Sequence, residues 1–177
     1  MLRTLRALQR LNEGIAVAAG ALLLASVLVT VFDVTARQFS FSLGGTDELS
    51  GYVMAITTSW GMSYALTHLA HVRIDLLRSR CQSMGQALFD LVAILSLSAT
   101  TLIIAYRVWP VLAKSIQNQS TANTTLETPL WIPQSLWMAG WVWFAISSVL
   151  ITACVLSLIT RGQFSDVNAA AGLREDV

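Results

Sequence analysis

Charge is excluded from long blocks of this chain rather than alternating turn by turn. Four stretches carry no formal charge: residues 14–32, 49–67, 91–106 and 128–160. A bilayer's hydrocarbon core takes about 20 apolar residues of helix to cross. Backbone groups have no water to bind there, so each stretch must be helical. The pattern predicts an all-α membrane protein with four transmembrane helices, at about 14–36, 47–69, 84–107 and 134–160. These make one membrane domain over residues 1–160, followed by a polar tail over 161–177. Transporters usually build substrate sites from interrupted helices. The uncharged stretches read as unbroken ones, with no obvious ion or substrate site, and point to a subunit that supports another protein's chemistry.

Shorter patterns flank the spans. Leu2, Leu5, Leu8 and Leu11 recur every three residues, with Arg3, Arg6 and Arg10 on another face. This predicts a short amphipathic helix lying in the headgroup region. The 19-residue apolar run after it is longer than an ordinary signal-peptide core, so it reads as an uncleaved first span. Gly44-Gly45 marks a tight turn, with Thr46 at an expected N-cap and Asp47 and Glu48 in the first turn of the next helix. Beyond that helix, Leu69, Val72 and Leu76 form a stripe that predicts an interfacial segment. Trp109-Pro110, followed by Val111, Leu112 and Ile116, predicts another on the opposite side. Residues 117–125 lack apolar periodicity and read as an exposed loop. Its two Asn-x-Ser/Thr triplets are discounted as chance matches.

Composition agrees. Of 177 residues, 55% are apolar and 12% charged, about half the charged share of soluble proteins. A net charge of +1 leaves no footprint for nucleic acid. If four spans are crossed, Arg3, Arg6, Arg10, Arg73, Arg78, Arg80, Arg161 and Arg174 share one side, against Arg37, Arg107 and Lys114 on the other. The positive-inside rule then places both termini in the cytoplasm. Trp109, Trp131, Trp137 and Trp141, with Tyr106, read as an aromatic belt anchoring the external interface; a docking surface for an external partner is the sharper reading.

A charged side chain within lipid needs a partner. Asp33 and Arg37, four apart, can pair along one helix face, and Arg37 and Glu48 flank the same turn. Together they read as a clasp joining the first two spans, with a proton-carrying Asp33 as the alternative. Asp90, about two turns into the third span, is expected to bond another helix or a partner subunit, or to titrate. His68 and His71, at i and i+3, cannot be trans ligands of one haem and make a poor zinc site. His71 and Asp75 are placed for a His–Asp hydrogen bond. Cys81 and Cys154 form no C-x-x-C pair and read as inert thiols. Catalytic residues, metal ligands and cofactors are therefore not expected. Small residues crowd the first span: Gly14-x-x-x-Ala18 and Ala21-x-x-x-Ala25 set them on a face expected to meet protein rather than lipid.

Taken in order, several segments resemble the small membrane subunit of the tripartite ATP-independent periplasmic (TRAP) transporters. They are Arg37 with Phe39 and Phe41, Glu48, Trp60-Gly61, the run His71-Val72-Arg73-Ile74-Asp75-Leu76, and Leu130-Trp131-Ile132-Pro133. Ile74 stands where the family has a valine. The resemblance covers roughly residues 15–160. It implies a scaffold subunit in a bacterial inner membrane, bound to a large multi-span permease that moves organic acids with sodium by an elevator motion. A periplasmic substrate-binding protein would deliver the substrate. It also implies structural or partner-facing roles for Arg37, Glu48, Gly61, His71 and Asp75. Two other classes compete: a quinone-linked membrane oxidoreductase subunit, which needs paired cysteines or histidines on separate helices, and a self-sufficient four-helix exporter, which usually has a mid-membrane carboxylate.

Overall fold

The computed structural model describes residues 2–68, 83–124 and 126–162. These form four helices: α1 (Leu2–Arg37), α2 (Thr46–Thr67), α3 (Ser83–Gln117) and α4 (Trp131–Thr160). Three of them, α1, α3 and α4, are long and apolar enough to cross a membrane. The fourth, α2, has 22 residues and is about 33 Å long. It is long enough, but diluted by hydroxyl residues. Those hydroxyls are satisfied within the helix: Thr57 donates to the Val53 carbonyl, Thr58 to Met54, Ser59 to Ile56, Ser63 to Trp60 and Thr67 to Ser63. Such back-bonding removes much of the cost of a hydroxyl away from water.

Two expected interfacial helices are absent as separate elements. The stripe at residues 2–12 continues into the first span as one 36-residue helix, without a break at Gly14. Leu8 and Asn12 explain this, because both are buried against α2 and α4 rather than lying free among headgroups. At the other end, α3 runs through Pro110 to Gln117. Proline removes one backbone donor and disfavours the helix interior. Here Val108, Leu112 and Ser115 form a buried stripe on either side of Pro110, and packing overrides the local preference. The expected segment after residue 68, with His71, Asp75 and Cys81, lies outside the described residues.

The helices pack in the order α1, α2, α4, α3, each mainly on its neighbour. The α1–α2 pair is antiparallel: Asp33 meets Thr46 at one end and Asn12 meets Ser63 at the other. α2 and α4 run parallel, with Trp60 donating to the Leu136 carbonyl at 3.0 Å. Here a β-carbon on Gly140 would collide with Ser59, and would lie 2.9 Å from Trp60 Cδ1, so only glycine allows this approach. α3 and α4 are antiparallel and joined by two hydroxyl pairs, Ser98–Thr152 at 2.7 Å and Thr101–Ser148 at 3.0 Å. The apolar core (Leu8, Leu66, Ile94, Phe144, Ile151, Val155) draws on all four helices. It sits toward the end that holds the start of α1 and the finish of α4.

Candidate functional site

Buried polar side chains gather at the two ends of the α1–α2 pair. At the turn end, Asp33 is fully buried and its two oxygens are both occupied. Oδ1 accepts from the Leu43 backbone N–H at 2.7 Å and, more loosely, from the Ser42 hydroxyl at 3.4 Å. Oδ2 accepts from Arg37 Nε and from the Thr46 hydroxyl, both at 2.8 Å. Arg37 Nη2 reaches the same oxygen at 2.6 Å and donates to Thr46 Oγ1 at 3.3 Å. The chain can close so tightly because Gly44 and Gly45 both take the left-handed backbone region that glycine tolerates. One carboxylate thus ties the last turn of α1, the connecting turn and the first residue of α2.

Two expectations at this turn are corrected. Thr46 is the first residue of α2 rather than its cap; Gly45 holds the N-cap position and has no side chain to cap with, while the Thr46 hydroxyl binds Asp33. Nor does Arg37 pair with Glu48. Asp33 occupies the guanidinium, and Glu48 turns away to accept from Tyr52 Oη at 2.6 Å and from the Thr124 hydroxyl. Glu48 therefore links α2 to the loop between α3 and α4. That loop is folded on itself by Ala122 N–H to Thr128 carbonyl at 2.9 Å and Leu130 N–H to Ser120 carbonyl at 3.0 Å. Leu126 presses on Gly45 so closely that a β-carbon there would overlap it.

The opposite end holds a junction that the sequence does not announce. Asn12 is fully buried and joins three helices. Its amide nitrogen donates to the Ser63 carbonyl at 3.1 Å and to Thr67 Oγ1 at 3.2 Å, and its oxygen accepts from Trp143 Nε1 at 2.8 Å. Gln9 adds a bond to the Thr67 carbonyl at 3.2 Å. His68 stacks on Tyr64 with ring centroids 4.3 Å apart, and its Nε2 stands 3.4 Å from Glu13 without hydrogen-bond geometry. The signal for Asn12 in the sequence is faint: one uncharged polar residue within a leucine stripe.

The remaining named residues scatter. Asp90 is buried in α3; by the register of the hydroxyl pairs it lies level with the last turn of α4, far from Asp33. Gly61 faces open space, with nothing within 4 Å of a β-carbon placed there. Trp131 is exposed at the start of α4 and Trp137 is half-buried one to two turns on. Trp109 is exposed eight residues before the end of α3, where the register of the hydroxyl pairs sets it level with Trp141. Trp141 lies ten residues, about 15 Å, along α4 from Trp131. There it packs on the apolar core, its ring 6.1 Å from that of Phe144. Among the described residues nothing comes within 4 Å of a β-carbon placed at Gly14 or Gly20 of α1. Among the described residues no three of His, Cys, Asp and Glu come close enough to share a metal ion.

Long apolar helices, with Asp33 and Asn12 committed to joining one helix to the next, define an integral membrane protein. Within that class the chain belongs to the DctQ component family of the tripartite ATP-independent periplasmic transporters, whose family model matches residues 26–158. It is thus the small component of a transporter that works with other subunits. Comparison with curated proteins and with solved structures returns no match.

Proposed function

We propose that the chain is a non-catalytic scaffold: it holds a large elevator-type permease in the bacterial inner membrane and carries no solute itself. The complex would take up organic acids delivered by a periplasmic binding protein, coupled to sodium. All four helices cross the bilayer in this reading, α2 included, with both termini in the cytoplasm. The eight-to-three division of basic residues supports that orientation.

One observation carries the proposal most: the buried Asp33 is saturated by Arg37, Thr46 and the Leu43 backbone. A carboxylate that carries ions must exchange partners, whereas this one is locked by both neighbouring elements. Family membership supports the partners, and the hydrogen-bonded junctions at both ends of the α1–α2 pair support a fixed role for it beside a moving subunit. The roles of Arg37, Glu48 and Gly61, and of His71 and Asp75, belong to the same proposal.

Affinity purification of the tagged chain from its native membranes in mild detergent tests it. The large permease subunit is expected in stoichiometric amount. Vesicles holding both membrane subunits should accumulate substrate when the binding protein and a sodium gradient are supplied. Uptake by vesicles holding this chain alone would overturn the proposal.

A further inference from the structure

One contact beside the Asn12 junction is left incomplete. His68 closes α2 as its C-cap, with its backbone N–H on the Tyr64 carbonyl at 3.0 Å. Its Nε2 is buried, has no hydrogen-bond partner, and stands 3.4 Å from Glu13 Oε1 on α1. We propose that protonation of His68 completes this contact and clamps α1 to the end of α2, so that the pair tightens as the surrounding pH falls through the histidine range.

Three neighbours bind a charged imidazole ring more strongly than a neutral one. The first is Glu13. A hydrogen bond between charged partners is about twice as strong as a neutral one. The Glu13 side chain is half exposed, so its carboxylate has room to swing onto Nε2. The second is the end of α2. The last carbonyls of a helix carry partial negative charge and favour a cation beside them. α2 has no lysine or arginine in its last turn, so His68 is the group placed to answer those carbonyls. The third is Tyr64. Its ring centroid lies 4.3 Å from that of His68, inside the roughly 6 Å over which an aromatic face attracts a cation. Among the described residues, like charges are few and solvated. Besides Glu13, this end of α1 carries Arg6 and Arg10, both exposed. α4, the other helix packed on α2, has no charged side chain along its length, and its one titratable group, Cys154, is buried.

The result is a tie of a different kind from its neighbours. Asn12 and Gln9 join α1 to α2 through uncharged groups that pH does not alter. The His68–Glu13 contact is strongest with the imidazole protonated and weakens as pH rises through the span of about pH 5 to 8 over which histidine loses its charge. Stronger acid, which neutralises Glu13, breaks it again. This inference does not depend on the scaffold reading, and its test reads helix contact rather than transport.

A double-mutant cycle of Glu13→Gln and His68→Gln on the thermal unfolding of the purified complex tests it, run at about pH 5.5 and about pH 8.5, toward the two ends of the histidine range. The coupling is expected to be at least twofold larger at the lower pH, the ratio of charged to neutral hydrogen bonds. His68→Arg, which stays charged and can still lie on Tyr64, should couple to Glu13→Gln equally at both pH values. Equal coupling of His68 itself at both would overturn the charge dependence, and no coupling at either would overturn the contact. Hydrogen exchange gives a local second readout, with rates divided by the intrinsic rate at each pH. Protection of the last turn of α2 should rise severalfold from the higher pH to the lower in the parent and stay flat in His68→Gln. A rise of the same size in both would overturn the proposal.

Discussion

Asp33 and Thr46 lie thirteen residues apart and meet through a 2.8 Å hydrogen bond that closes the α1–α2 turn. The bond matters because it ties the first residue of α2 to α1 across a turn whose N-cap, Gly45, has no side chain to cap with. The acidic first turn of α2, Asp47 and Glu48, still suits the helix dipole. The missing cap bond is offset by a carboxylate that binds four groups at once.

Removing that carboxylate is predicted to loosen the pair. Asp33→Ala strands the Leu43 N–H and leaves Arg37 beside an apolar wall. Breaking a buried pair from one side costs about 3–5 kcal/mol. The half-exposed Arg37 can still reach water, so the lower end of that range is expected. Thermal unfolding of the purified complex measures the loss. Asp33→Asn, which keeps an acceptor for Leu43, should recover part of it; equal damage from both variants would refute the hydrogen-bond account.

Glu48 is predicted to matter for the loop rather than for Arg37. Its partner Thr124 is 76 residues away, so Glu48→Ala should free residues 118–130 while leaving the α1–α2 turn closed. Hydrogen exchange at Ala122 and Leu130, whose N–H groups close the loop, should accelerate at least tenfold. Exchange at Leu43, which reports the Asp33 clasp, should change little. A reversal of these two responses would restore the expected Arg37–Glu48 pair.

At Gly140 the limit is space. Gly140→Ala pushes a methyl group into Ser59 and Trp60, and overpacking of this kind costs about 1–3 kcal/mol. Ser59→Gly removes the obstructing side chain and should restore part of the stability in the double variant. If the single variant melts with the parent, α2 and α4 are not in contact there.

The sequence reveals whichever interactions are close in sequence or periodic. Asp33 and Arg37 are four apart on one helix, and Gly44-Gly45 marks the turn, so the first clasp can be read from spacing alone. The partner of Glu48 cannot, because Thr124 sits in a polar loop with no periodicity to place it. Pro110 misleads for a different reason: the local rule is sound, but the buried stripe of Val108, Leu112 and Ser115 outweighs it. Trp141 is ambiguous in sequence because a belt and a core both favour tryptophan, and only its packing beside Phe144 separates it from the exposed Trp109 at the same level. The hydroxyls of α2 lower its hydropathy, yet Thr57, Thr58 and Ser59 each donate to their own helix, which a residue scale does not count.

Asn12 gives the sharpest remaining test, because it ties α1 to both α2 and α4 with three hydrogen bonds. Interhelical hydrogen bonds within membranes average about 0.6 kcal/mol, so Asn12→Ala should cost roughly 2 kcal/mol. Much of that loss should come from Trp143, whose indole N–H is left without its acceptor. Trp143→Phe alone should also destabilise, but Trp143→Phe added to Asn12→Ala should cost less than it does in the parent. A double-mutant cycle on the unfolding of the purified complex measures this, with a coupling of about 0.5–1 kcal/mol expected for residues in contact. Additive losses would mean that Asn12 and Trp143 act separately, and the packing of Leu5 and Leu8 on the apolar core would then hold the start of α1 to α4.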